Sequence, residues 1–206
     1  MFKKQITQDL AKFSSIKNLK NPITFFGSAR LKEGSMHYKL ARKLAFMCVN
    51  AGFSVVSGAG GGIMQAANLG AYEACKALKL ELSQRSIGFN IHLPFEQKSN
   101  EFVGFNLTFE NLAVRKMALI DKSLAFVIFA GGFGTLDELL EVLTLKQLGF
   151  KKVPIFLVGS EFWQGLDEFI KGTLLGLEVI SKGDESLYQI SDDLEFILES
   201  LKQELL

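Results

Sequence analysis

Cysteine, histidine, proline and tryptophan are all scarce here, at two, two, three and one residues in a chain of 206. The two cysteines, Cys48 and Cys75, sit among Ala, Met and Leu in stretches of helical pattern, with no C-x-x-C spacing and no histidine-rich neighbourhood. That excludes a disulfide-built scaffold and predicts buried free thiols in a reducing, cytoplasmic setting. With only His37 and His92 available, there is no metal-ligand signature and no metal is expected.

Charge of one sign is lacking too. Lys and Arg number 23 against 22 Asp and Glu, for a net charge of +1. The chain therefore has no electrostatic footprint for nucleic acid or an anionic membrane surface, and any basic site must be local. No apolar run approaches the roughly 20 residues of a membrane helix. Lys3 and Lys4 are followed by Gln5, Thr7, Gln8 and Asp9, not by the apolar core of a secretory signal. Low-complexity segments are absent and 48% of residues are apolar, which predicts an ordered chain with a sizeable core.

What the sequence does have is alternation. Residues 1–20 are expected to form an N-terminal helical extension, with Phe2, Ile6, Leu10, Phe13 and Ile16 at three- and four-residue spacing; 21–206 are expected to form a single domain. Strand patterns at 23–26, 53–57, 86–91, 102–109, 124–129, 153–158 and 187–190 are separated by helix patterns at 36–51, 63–77, 111–122, 136–148, 162–175 and from 191 onward. Gly52 and Gly149 are placed to end helices, Ser191, Asp192 and Asp193 to cap the last one, and Pro154 to start a strand. Residues 79–85 read as a loop, 93–95 as the close of a strand, and 96–101 as an exposed or mobile loop. The pattern predicts an α/β, Rossmann-like doubly wound fold, a mostly parallel sheet with helices on both faces. Right-handed crossovers then place the turns after Phe26, Ser57, Phe109 and Phe129 on one edge, where a ligand would sit.

The stretch L-A-F-V-I-F at 124–129 runs directly into A-G-G-F-G-T-L-D-E at 130–138, which reads as strand, tight turn, helix. Glycines at 131, 132 and 134 let backbone N–H groups approach a bound group, and the helix start adds unpaired N–H groups and the positive end of its dipole. This is a phosphate-sized anion site. A second small-residue turn, G-A-G-G-G at 58–62, costs enough chain entropy to predict something packed close against its backbone. It lacks the G-x-G-x-x-G dinucleotide pattern, and no G-x-x-x-x-G-K-[ST] loop occurs anywhere.

Thr135 and Glu138 have the spacing of a capping box, which is one reading of the pair. In the other, Thr135 ligates phosphate and Glu138 faces the substrate. Arg115 and Lys116 fall on the second turn of the helix beginning near Asn111, either as a solvated surface pair or with one of them in the cleft, since adjacent helical residues point about 100° apart. Arg115, a turn after Asn111, is the one expected to enter.

Together these residues resemble the Lonely guy proteins, cytokinin riboside 5′-monophosphate phosphoribohydrolases often mislabelled as lysine decarboxylases. The family pattern P-G-G-x-G-T-x-x-E falls on 130–138 with Ala130 in place of proline, and its upstream Arg-Lys pair on Arg115 and Lys116. The likeness extends to F-G-S-A-R at 26–30, to 58–64, and to Asp192 and Asp193. It implies hydrolysis of the N-glycosidic bond of a purine nucleoside 5′-monophosphate, carrying adenine or an N6-modified adenine, to free base and ribose 5-phosphate. No cofactor is implied, the partner is the small-molecule nucleotide, and the protein is expected to be a homodimer or a multiple of one. Arg115 and Glu138 are implied as catalytic. Gly27, Ser28, Lys116, Gly131, Gly132, Phe133, Gly134, Thr135 and Asp137 are implied on the phosphate and ribose, and Gly58, Gly60, Gly62 and Met64 on the base side. Ala59 and Gly61 depart from the usual glycine and proline of G-G-G-P-G-I-M, and Ala130 loosens its turn without removing a chemical group. The alternative is a non-catalytic nucleotide-sensing or carrier module on the same fold, against which the retained Arg115 and Glu138 argue.

Overall fold

A computed structural model describes residues 2–17, 19–93 and 98–206. The expectations for 94–97 lie outside the described residues. Helix α1 (Phe2–Ser15) leads into β1 (Pro22–Phe26), α2 (Met36–Asn50), β2 (Ser54–Ser57), α3 (Ile63–Leu78), β3 (Ser86–Ile91) and β4 (Phe105–Phe109). Then come α4 (Leu112–Asp121), β5 (Ala125–Phe129), α5 (Phe133–Gln147), β6 (Ile155–Val158), α6 (Ser160–Glu168), β7 (Gln189–Ile190) and α7 (Leu194–Leu205).

The seven strands form one sheet in the order β4-β3-β2-β1-β5-β6-β7, and every pairing is parallel. The expected doubly wound α/β fold is what forms. The central strands β1, β5 and β6 are nearly continuous apolar runs, buried throughout because both faces are covered. In β5, Ala125, Val127 and Phe129 point into a core shared with α2, α3 and α7, whereas Phe126 and Ile128 point into the opposite core with α4, α5 and Trp163 of α6. The two-residue period of a strand divides one apolar run between two layers.

Strand order reverses direction between β1 and β5, so the turns that follow these two strands diverge and leave a crevice at their carboxyl ends. Among the described residues, no helix is long and apolar enough to cross a membrane.

Local signals place most element ends. Ser35 caps α2 by accepting from the Tyr38 amide at 3.2 Å, and Gly52 follows the helix with φ +99°. Three expectations need correction. The strand predicted from 102 starts at Phe105, because the Asn100 side chain accepts the Phe102 amide at 3.2 Å and holds a turn there. Of the expected cap on the last helix, Asp193 serves, but Asp192 turns to α6, where it accepts from the Gly159 amide at 2.6 Å and from the Ser160 hydroxyl at 2.5 Å. That places the start of α6 at Ser160, ahead of the predicted 162. Past Glu168 the helix continues into a wider π-type turn, Phe169–Leu174.

Candidate active site

The crevice at the β1–β5 divergence opens into a cavity of about 730 Å³. Its floor comes from turns that the strands deliver. After β5, Ala130 is held by the Ser28 amide, which donates to the Ala130 carbonyl at 3.0 Å and so ties the β1 turn to the β5 turn. Helix α5 then begins at Phe133 with Gly132 as its N-cap and no side-chain cap. The first amide with an acceptor inside the helix is that of Leu136, bonded to the Gly132 carbonyl at 3.0 Å. The amides of Phe133, Gly134 and Thr135 belong to the first turn, where a helix leaves its N–H groups without intrahelical partners, and all three residues line the cavity.

The capping box is not formed. Thr135 lies inside the first turn rather than before it, buried with its side chain over Gly131, where a Cβ would fall on the Thr135 hydroxyl. Among the described residues Glu138 reaches back to no amide. Its Oε1 accepts from Arg115 Nη1 at 2.8 Å, and both residues are only 9% exposed. Arg115 also donates from Nε to the Phe89 carbonyl at 3.0 Å, which fixes the plane of the guanidinium. Its Nη2 lies against Gly58, where a Cβ would strike both it and Met64 Sδ. Burial pushes the Glu138 carboxyl above its ordinary pKa, and Arg115 only partly opposes that rise.

Helix α4 carries Arg115 to this position through two caps. The Asn111 side chain accepts from the Ala113 and Val114 amides at 3.1 and 3.2 Å. One residue earlier, fully buried Asp9 of α1 accepts from the Glu110 and Asn111 amides at 2.8 and 2.7 Å. The N-terminal helix thus anchors the turn from which Arg115 projects. Nothing in the spacing of α1 signalled this, because Asp9 belongs to no motif.

Of the residues singled out from the sequence, Gly27, Ser28, Gly58, Met64, Arg115, Gly132, Phe133, Gly134, Thr135 and Glu138 line the cavity together. Gly60, Gly62, Gly131, Lys116 and Asp137 do not. Lys116 points away from Arg115 and pairs with Asp137 at 2.9 Å and Glu141 at 2.8 Å. Burial works against its ammonium, but the two carboxylates outweigh it and hold its pKa above the ordinary lysine value. The 58–62 turn is indeed packed closely, though against protein. Gly62, with φ +60°, lies where a Cβ would enter the Ser28 and Ala29 backbone, and the Ala59 and Gly60 carbonyls accept from Asn100 Nδ2 at 3.1 and 3.0 Å. Ala29, Arg30, Ile91 and Leu136 also line the cavity. Arg30 ends the F-G-S-A-R stretch, a signal that could have found it.

Chemically the site offers a helix N-terminus for an anion and a buried carboxylate held by a guanidinium. The family described as possible lysine decarboxylase matches residues 64–201. Cytokinin riboside 5′-monophosphate phosphoribohydrolase LOG2 of Arabidopsis thaliana is 30% identical over 152 residues, 71% of this chain and 66% of that protein. LOG1 of the same plant is 38% identical over 73 residues, 35% of this chain and 34% of that protein. The chain thus spans just under two thirds of one of these relatives and about a third of the other. Among solved structures, the molybdenum cofactor carrier protein of Chlamydomonas reinhardtii superposes with a TM-score of 0.63 at 21% identity, covering 90% of this chain and 98% of that one. The molybdenum cofactor binding protein of Rippkaea orientalis gives 0.59 at 19%, covering 88% and 94%. At such identities the likeness is one of fold.

Proposed function

The chain belongs to the family described as possible lysine decarboxylase, the Lonely guy family, and from that premise we propose that it hydrolyses the N-glycosidic bond of a purine nucleoside 5′-monophosphate. The products are the free base, adenine or an N6-modified adenine, and ribose 5-phosphate. The observation that carries the proposal is the buried Arg115–Glu138 pair at 2.8 Å, lining one cavity together with Phe133, Gly134 and Thr135 of the first turn of α5.

In this reading the phosphate sits on the amides of Phe133, Gly134 and Thr135, with Ser28 and the Gly27 backbone beside it. Binding the phosphate there positions C1′ near Glu138. Arg115 occupies only Oε1 of Glu138; among the described residues Oε2 has no hydrogen bond, so it is the oxygen for the substrate side. Glu138 stabilises positive charge on the ribose as the bond to the base breaks, or takes the proton of the attacking water. Arg115 stays charged throughout and orients the carboxylate. Gly58 and Met64 lie on the base side. Lys116 and Asp137, through their own ion pair, hold α4 against α5 and so position Arg115 and Glu138 without touching substrate.

We further propose a homo-oligomer. Phe133 and Leu140 of α5 and Leu112 of α4 are 92%, 52% and 54% exposed, apolar surface that a second copy would cover. Sedimentation velocity tests this: a monomer at micromolar concentration rejects it.

The competing reading is a module that binds a nucleotide without cleaving it, and it is favoured by one feature: Glu138 is already paired, as a purely structural ion pair would be. Chromatography of a panel of nucleoside monophosphates after prolonged incubation decides. Base release supports the hydrolase; binding without release supports the module.

A further inference from the structure

We propose that Arg30 is the side-chain cation that makes this site selective for a phosphate monoester, clamping it against the first turn of α5. The assignment rests on the nucleotide reading above and adds to it a residue that the family pattern on 130–138 does not contain. The first support is charge balance. Two guanidiniums, Arg30 and Arg115, and one carboxylate, Glu138, line the cavity. Arg115 is committed to Glu138 and to the Phe89 carbonyl. Without Arg30 the only uncommitted positive charge among the described residues of the cavity would be the helix end, equivalent to about half a charge, whereas a monoester carries about −1.5 to −2 at pH 7. Arg30 supplies the missing charge.

The second support is placement. Residues 28–30 are held from both sides. The Ser28 amide donates to the Ala130 carbonyl at 3.0 Å, next to the α5 turn, and the Ser28 carbonyl accepts from the Ile63 amide at 2.9 Å. The Ser28 hydroxyl accepts from the Arg30 amide at 3.0 Å and closes the turn. The backbone that carries Arg30 is therefore fixed relative to α5, while its side chain is exposed and, among the described residues, has no carboxylate partner. An arginine without a counter-charge, on a braced turn in the wall of an anion cavity, is available for bidentate contact with a phosphate.

Isothermal titration with ribose 5-phosphate, and with ribose as the uncharged control, tests this without requiring turnover. Arg30→Gln is expected to weaken ribose 5-phosphate binding by roughly 10–100-fold, the range for losing a charge-assisted contact. Arg30→Lys is expected to recover part of the loss. The melting temperature should not move, because the side chain is unpaired and exposed. Wild-type affinity for ribose 5-phosphate in Arg30→Gln overturns the assignment, and so does failure of the wild-type protein to prefer ribose 5-phosphate over ribose. Failure of the hydrolase reading is a separate result: a wild-type protein that binds ribose 5-phosphate through Arg30 yet releases no base.

Discussion

Arg115 donates to Glu138 at 2.8 Å in the interior, while the neighbouring Lys116 and Asp137 meet at 2.9 Å on the outside of the same two helices. The two pairs are alike in sequence and unlike in energetics. A buried pair repays its desolvation only while both partners are present, whereas an exposed pair is worth little either way.

Arg115→Met is therefore expected to cost about 3–5 kcal/mol at neutral pH, because it leaves a buried carboxylate alone. Lys116→Met should cost less than about 1 kcal/mol. Pairing Arg115→Met with Glu138→Leu should recover part of the loss, and the loss in Arg115→Met should shrink at lower pH, where a protonated Glu138 needs no counter-charge. Urea unfolding of the wild type and these three variants at pH 7.5 and pH 5 measures all of this; an Arg115→Met loss equal to that of Lys116→Met would contradict it.

For the chemistry, Glu138→Gln is expected to reduce base release from AMP by roughly 10²–10⁴-fold with the fold intact. Unchanged release in that variant removes Glu138 from the mechanism. Since burial raises the Glu138 pKa, turnover at saturating nucleotide should rise with pH through an acid limb lying above the ordinary carboxylate range. The stability linkage has the opposite sense. The folded protein holds this proton more tightly than the unfolded chain does, so the contribution of Glu138 to stability falls as pH rises from the ordinary carboxylate value to the raised one.

Gly58→Ala places a Cβ on Arg115 Nη2 and Met64 Sδ. Both are ends of flexible side chains, so the fold should survive with a loss of about 1–3 kcal/mol. Arg115 must move, and turnover should fall at least about tenfold, as expected for a misplaced orienting group. Thermal melts and the base-release assay separate the two effects; full activity would show that the position of Arg115 is not critical.

Cys48 is fully buried and its thiol is pushed up to about 12, and burial also raises Cys75. Neither should react with Ellman's reagent at pH 8 until the protein unfolds, when two thiols should appear. Rapid labelling of the native protein would mean that the α2 and α3 layer opens readily.

Much of this was legible in the sequence because it is local. The continuous apolar run at 124–129, the glycines after it and the helical spacing beyond determine a strand, a turn and a helix wherever they are placed. Alternation of such units determines a parallel sheet, and a parallel sheet determines that its ligand edge lies at the strand ends. Even the expectation that only one of Arg115 and Lys116 enters the cleft follows from the 100° between neighbours on a helix, and the place of Arg115 a turn after Asn111 picks it out. Tertiary structure alone decided which partner each polar group took. Thr135 and Glu138 have the spacing of a cap, but α5 begins at Phe133, and Glu138 meets a guanidinium brought from another helix. Asp192 could cap the helix that follows it in sequence and instead caps α6. Asp9, in no motif, holds the turn that aims Arg115. A hydrogen bond is short-ranged and directional, so it is settled by which groups the packed layers bring within about 3 Å, and that distance cannot be read along the chain.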